Sequence, residues 1–362
     1  MRTFAKVLAV SAAAALALSG CGRAADTGSG GSSAGGSAAG FAANSVIGVA
    51  LPQKTSENWV LAEGLFNNGL KSAGFSGDVQ FANGGVTEQQ NQIQAMVTKG
   101  AKVIIVGAID SKQLGTQLKA AKDSGATIIA YDRQLQNTDA VSYYVAYDND
   151  KVGQLQGQAL LDGMKAKKPN GPYNVELFAG SPDDPNAQVF FNGAMKVLQP
   201  KITDGTLKVV SKQTAFNQVV TQGWKPENAQ KRMDTLLTAN YSSATLDGVL
   251  SPNDTLARAI LQSVTSQGKA NPIVTGQDSE VESVKSIMAG QQYSTINKDT
   301  ANLVKAAIDM AVSLQKGQTP ATTTTDNNGV KSVPTQYLTP VVVTKTNAAE
   351  AYKGTSLEQY TK

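Results

Sequence analysis

Histidine is missing from all 362 residues. That excludes a Ser-His-Asp triad, a Cys-His pair and any zinc held by imidazole. The single cysteine, Cys21, excludes an internal disulfide. Its place near the N-terminus also leaves the body without a cysteine nucleophile or redox pair. Excess charge is small. Lys and Arg number 32 against 28 Asp and Glu, a net charge of +4, which argues against binding a nucleic-acid backbone. No G-x-x-x-x-G-K-[ST] run occurs, so the chain carries no P-loop for ATP. No cofactor or metal is expected. Tryptophan is limited to Trp59 and Trp224. What remains, 41% hydrophobic and 17% charged residues, suits a folded globular protein. The length allows one large domain or two to three ordinary ones.

The first 45 residues read as an address and a tether. Arg2 and Lys6 precede Val7–Leu18, which is apolar or small apart from Ser11. That run is too short for a mature membrane span but fits a signal-peptide core. It ends Leu18, Ser19, Gly20, Cys21, which resembles the bacterial lipoprotein lipobox, so residues 1–20 are expected to be cleaved and Cys21 lipidated. Loss of Arg2 and Lys6 leaves a mature charge near +2. An ordinary secretory signal is the plainer alternative, but the one cysteine sits where a lipobox needs it. Residues 21–45 are nearly all Gly, Ser and Ala, which cannot bury enough apolar surface to fold. A coil of about 23 residues reaches roughly 25 Å on average. The expected location is outside the cell, anchored by lipid at the outer face of a bacterial membrane.

From Val46 onward the chain alternates short apolar runs with helical periodicity. VIGVAL (Val46–Leu51), Asp78–Ala82, KVIIV (Lys102–Val106) and TIIA (Thr127–Ala130) read as strands. Helices fit Glu57–Ala73 and Glu88–Lys99, and another carries Leu114, Leu118 and Ala121 on one face. Strands recur roughly every 25–30 residues, which is βαβ spacing. After Asp148 the pattern restarts. Strands are expected at Tyr173–Phe178, Leu207–Ser211, Asp247–Leu250, Pro272–Thr275 and Tyr293–Ile296, with Asn186–Leu198 and Thr300–Gln315 among the helices. Thr319–Gly329 reads as a polar loop and Leu338–Thr344 as a late strand. The expected fold is α/β, with two similar doubly wound parallel-sheet lobes.

Ligands of such sheets sit beyond the carboxyl ends of the strands. Those ends carry Lys54, Asn58 and Trp59, then Asp132 and Arg133, then Ser181–Asn186 with Asn186 at its end. Asn253, Asp278 and Lys298 follow later strands. Asp, Asn, Arg and Lys satisfy hydroxyls in several directions, and a flat aromatic covers the C–H face of a sugar ring. Trp59 and Trp224 supply one aromatic per lobe. Each residue taken alone has a plainer reading. Asp132 with Arg133 makes a turn salt bridge, Asn253 and Asp278 cap helices, Lys298 is a solvated charge, and the tryptophans are half-buried helix starts. Their shared placement at strand ends favours one cleft.

The stretches KTSENW (54–59), AYDR (130–133), VSYYVAYDN (141–149), ELFAGSPDDPNA (176–187), RMDTLL (232–237), VLSPNDTLA (249–257) and TGQDSEVESVKSIMAGQQYSTINKDT (275–300) carry a resemblance. The chain resembles the periplasmic sugar-binding proteins of ABC importers, of the ribose, xylose and arabinose type. Within that group it is similar to the multiple-monosaccharide-binding receptors. The resemblance implies a type I periplasmic binding protein fold whose two lobes are joined by three crossovers, near Asp148, Lys298 and Tyr337. Residues 46–148 plus 299–337 would form one lobe, and 149–298 plus 338–362 the other. It also implies sugar contacts from Lys54, Asn58, Trp59, Asp132, Arg133, Asn186, Trp224, Asn253, Asp278 and Lys298. Phe191 stands near a position where many members have Arg.

The resemblance further implies a monomer that binds a monosaccharide and serves a membrane permease, with no enzymatic activity. A sugar sensor presenting its closed form to a chemoreceptor or kinase uses the same residues. A lipoprotein glycosidase would need two carboxylates flanking a scissile bond. A repressor on this fold would need an N-terminal helix-turn-helix, where this chain has a signal and linker.

Overall fold

The computed structural model describes residues 40–362. β1 (Val46–Leu51), α1 (Glu57–Ser72), β2 (Ser76–Phe81), α2 (Val86–Thr98), β3 (Val103–Val106), α3 (Gly115–Asp123) and β4 (Thr127–Tyr131) alternate as expected. β1, β3 and β4 are rich in Val and Ile and are almost wholly buried, as sheets covered on both faces require. Side chains alternate between those faces. Val103 and Ile105 join α1 in one core, whereas Ile104 and Val106 join α2 and α3 in another. β5 (Val141–Tyr147) then follows β4 with no helix between them. The regular strand spacing does not anticipate it.

The second half begins with α4 (Asn149–Lys167), β6 (Tyr173–Leu177), α5 (Pro185–Thr203), β7 (Leu207–Val209) and the short α6 (Phe216–Val219). It continues through α7 (Pro226–Asn240), β8 (Gly248–Leu250), α8 (Asp254–Ser266), β9 (Ile273–Val274), α9 (Val281–Met288) and β10 (Ser294–Asn297). α10 (Thr300–Gln315) returns to pack beside α1 on the first sheet. β11 (Thr324–Asn327), β12 (Ser332–Leu338), β13 (Val341–Thr344) and α11 (Ala348–Ala351) complete the chain.

Seven strands form the first sheet in the order β11-β12-β5-β4-β3-β1-β2, and four form the second in the order β7-β6-β8-β9. Both contain parallel pairing about a first strand flanked by the second and third, so each has a switch point where crossovers reverse direction. β10 and β13 pair antiparallel beside the second sheet. The backbone passes between the two lobes at three places: from β5 into α4, from β10 into α10, and from β12 into β13.

Three expectations need correction. The segment 319–329 is not all loop. Thr324–Asn327 pairs antiparallel with β12 as an edge strand, and its exposure explains why it lacks apolar residues. The late strand is two strands. β12 ends at Leu338 and β13 starts at Val341 in a different sheet, with Pro340 between them unable to donate to a ladder. Trp59 and Trp224 are buried rather than half-buried, at 4% and 6% exposure.

Candidate functional site

The carboxyl ends of both sheets face one small cavity, with about 30 Å³ of room for the centres of water-sized molecules. Asn58, Trp59, Asp132 and Arg133 line it from the first lobe. Asn186, Trp224, Asn253 and Asp278 line it from the second, with Lys298 at a crossing. Nine of the ten residues singled out from the sequence therefore share one cavity. Lys54 does not: its ammonium turns to Glu63 at 3.1 Å and lies over the Phe81 ring, on the exposed side of the β1–α1 connection.

Local structure explains how each group is aimed. Asp184 caps α5 ahead of Pro185 at the first helical position, accepting from Asn186 N at 2.9 Å. That start holds Asn186 at the cavity, where its Nδ2 donates across the cleft to the Asp132 carbonyl (2.9 Å) and Oδ1 (3.3 Å). Gly153 of α4 lets α5 come close, since a Cβ there would lie 2.0 Å from the Phe190 carbonyl oxygen. Asn253 caps α8 through its Oδ1 to Leu256 N at 3.0 Å and also lines the cavity, so cap and wall are one residue. Asp132, Trp224 and Asp278 all sit at positive φ (62°, 53° and 95°) without being glycine. Such backbone costs about 1–3 kcal/mol each and concentrates at binding sites.

Aromatic plates face the cavity from both lobes. Trp59 meets Tyr131 edge-on, and the Arg133 guanidinium lies 5.3 Å from its ring centre. Trp224 donates from Nε1 to Asp184 Oδ2 at 3.1 Å. Phe190 carries the Lys298 ammonium over its ring at 5.2 Å. The neighbouring Phe191 turns away and packs on Phe216, so the aromatic that faces the cavity is Phe190.

Charge is dense and buried. Arg133 pairs with Asp184 across the cleft at 2.9 Å, and Lys298 pairs with Asp278 at 2.9 Å. Burial raises the Asp132 pKa against the opposing pull of Lys298 and Arg133. Burial likewise raises that of Asp184 against Arg133. Burial works against the Lys298 charge, yet Asp278, Asp132 and Asp184 outweigh it and its pKa is raised. Asn58 Oδ1 and Gln277 Oε1 are buried in the lining and accept no hydrogen bond from the protein, so both are free acceptors for a ligand. The arrangement suits a compact neutral molecule with many hydroxyls and apolar faces.

Sequence reasoning passed over Asp184, Gln277, Phe190 and Ser56, which also line the cavity. The available signal for Asp184 was its place before a proline at a helix start. Choosing Phe190 over Phe191 needed the phase of α5.

Beside the cavity, Glu280 is almost fully buried. Arg258 Nη1 pairs with it at 2.7 Å, Thr255 donates to it, and Asp254, Asp278 and the Glu57 carboxylate of α1 are close. Burial, opposed by Arg258, pushes its pKa from 4.5 up to about 7. The protonated form therefore suits the fold better. Its stabilising contribution is full below pH 4.5 and is lost as pH rises through about 7. Between about pH 4.5 and pH 8, Glu280→Gln should gain on the wild type by on the order of 3 kcal/mol. Urea unfolding of both proteins at each pH checks this, and a difference that stays constant with pH overturns it.

A family profile for the periplasmic binding protein domain matches residues 47–319. The multiple sugar-binding periplasmic receptor ChvE of Rhizobium radiobacter is 47% identical over 308 residues, 83% of this chain and 87% of that protein. The D-xylose-binding periplasmic protein of Escherichia coli K12 is 38% identical over 302 residues, 83% of this chain and 87% of that protein. A crystal structure of an ABC transporter solute binding protein from Clostridium phytofermentans with bound β-D-glucose matches with a TM-score of 0.83 at 37% identity. That match covers 88% of this chain and 100% of the other. The chain belongs to the periplasmic binding protein family and has its type I fold. It is thus an exported binding protein rather than an enzyme.

Proposed function

We propose that the chain captures a neutral monosaccharide, an aldopentose or aldohexose, between its two lobes and delivers it to an ABC transporter permease. The observation that carries this reading is the cavity itself. Trp59 and Trp224 face it from opposite lobes, with buried charged pairs and free amide acceptors between them. The similar proteins named for several sugars and for xylose, and the glucose-bound neighbour, support it. In this reading Asn58, Trp59, Asp132, Arg133, Asn186, Trp224, Asn253, Asp278 and Lys298 touch the sugar. The lobes hinge at the three crossings, and the sugar stabilises the closed form because only that form makes both sets of contacts. The protein works as a monomer, tethered by lipid on Cys21, which lies outside the described residues.

A thermal-shift screen of residues 45–362 against neutral monosaccharides tests the reading. A sugar at a hundred times its Kd should stabilise the protein by about 2.7 kcal/mol, several degrees in Tm. Glucose, galactose, xylose and arabinose are the first panel, and no shift with any monosaccharide would sink the proposal. In a second arm the full chain should partition with membranes and Cys21→Ser should not. A wild type that stays soluble overturns the anchor alone.

A further inference from the structure

α1 and α9 start opposite each other, one in each lobe. A helix N-terminus leaves backbone N–H groups without partners inside the helix. Ser56, the N-cap of α1, makes no side-chain cap, and neither does Glu280, the N-cap of α9. The missing bonds come from the other lobe. Glu57 N donates to Glu280 Oε1 at 3.3 Å, and Val281 N donates to Glu57 Oε2 at 3.1 Å. Each helix is capped by a carboxylate belonging to the other.

Arg258 of α8 ties the two acids together, with Nη1 at 2.7 Å from Glu280 and Nη2 at 3.8 Å from Glu57. Thr255 Oγ1 fixes Glu280 at 2.8 Å from both carboxylate oxygens. The Glu280 side chain is 1% exposed and that of Glu57 is 46% exposed. The second lobe thus presents a rigid receptor, and Glu57 is the part that arrives. None of these residues lines the cavity between the tryptophans.

We propose that Glu57, Glu280 and Arg258 form a latch, made only when the lobes close, that sets the open–closed equilibrium without touching the ligand. The inference rests on the sugar-binding reading above. A ligand's apparent affinity scales with the fraction of protein able to adopt the binding-competent form. Loss of the latch therefore weakens every sugar by one common factor, whereas loss of a group touching sugar changes the ratio between sugars.

The test is Glu57→Ala, an exposed position whose loss leaves the Arg258–Glu280 pair in place. The Kd values for two sugars found by the screen should rise by the same factor, about fivefold, the size of one helix cap. The rise should lie in the dissociation rate, with association little changed. Glu57→Asp, which keeps the carboxylate, should recover part of the loss. Small-angle scattering of both proteins with saturating sugar and without it reads closure directly. Glu57→Ala should need more sugar to reach the compact form. Unchanged Kd values, or a loss confined to one sugar, would overturn the latch. A wild type that binds no monosaccharide sinks the functional reading instead. In that case a ligand-free inter-lobe distance distribution unchanged by Glu57→Ala would overturn the latch independently.

Discussion

Asp184→Asn should raise the sugar Kd at least about a hundredfold while leaving the ligand-free protein nearly as stable as before. The carboxylate does three things. It caps α5, it accepts from Trp224 Nε1, and it neutralises Arg133 across the cleft at 2.9 Å. Asparagine is as good an N-cap as aspartate, so the first role survives. The charge does not. Arg133 is 4% exposed in the closed protein, and breaking a buried pair costs about 3–5 kcal/mol. The two partners belong to different lobes, so opening returns Arg133 to water and removes the penalty from the ligand-free state. The cost falls on closure and appears in Kd at about 1.4 kcal/mol per tenfold. Titration calorimetry with the sugar found by the screen, beside a melting curve, checks both halves. A lowered Tm with unchanged Kd would mean that the pair only holds the fold together.

Much of this site was legible because doubly wound sheets put ligand groups at strand ends, and apolar runs mark where strands end. VIGVAL and KVIIV are buried on both sides and stand out from their surroundings. α10 occupies Thr300–Gln315, the span its periodicity defines. Spacing alone failed where tertiary context decides. β5 shows half-exposed Ser142 and Tyr143 before its buried end, so its apolar signal is diluted. β11 is an edge strand with no buried residue to mark it. Lys54 has the right sequence position, yet the chain after β1 turns it toward Glu63. The positive φ values of Asp132, Trp224 and Asp278 have no compositional trace, because no glycine marks them. The crossed capping of α1 and α9 was invisible for a different reason. Glu57 and Glu280 lie 223 residues apart, and each reads locally as an ordinary acid at a helix start.

Trp224→Ala and Gly180→Ala should weaken sugar binding to the same extent, by at least tenfold (about 1.4 kcal/mol), and the double variant should be no worse than either. Trp224 is buried in the core shared by Phe178, Ala187 and Phe190, so its removal should cost the second lobe about 3–5 kcal/mol of stability. The indole ring lies against Gly180. A Cβ there would stand 2.1 Å from Cζ2 and Cη2 of the ring, far inside contact distance. The rest of the ring's surroundings cannot yield easily, because Nε1 is tied to Asp184 and the Trp224 backbone is already at φ 53°. Adding one methyl group should therefore displace the aromatic plate as surely as deleting it. Two substitutions that act on one object are not additive. Additive losses would show that Gly180 affects binding by some route other than the tryptophan. Unchanged affinity in Trp224→Ala would remove the aromatic from the site, leaving the charged groups of the first lobe and the Lys298–Asp278 pair to hold the ligand alone.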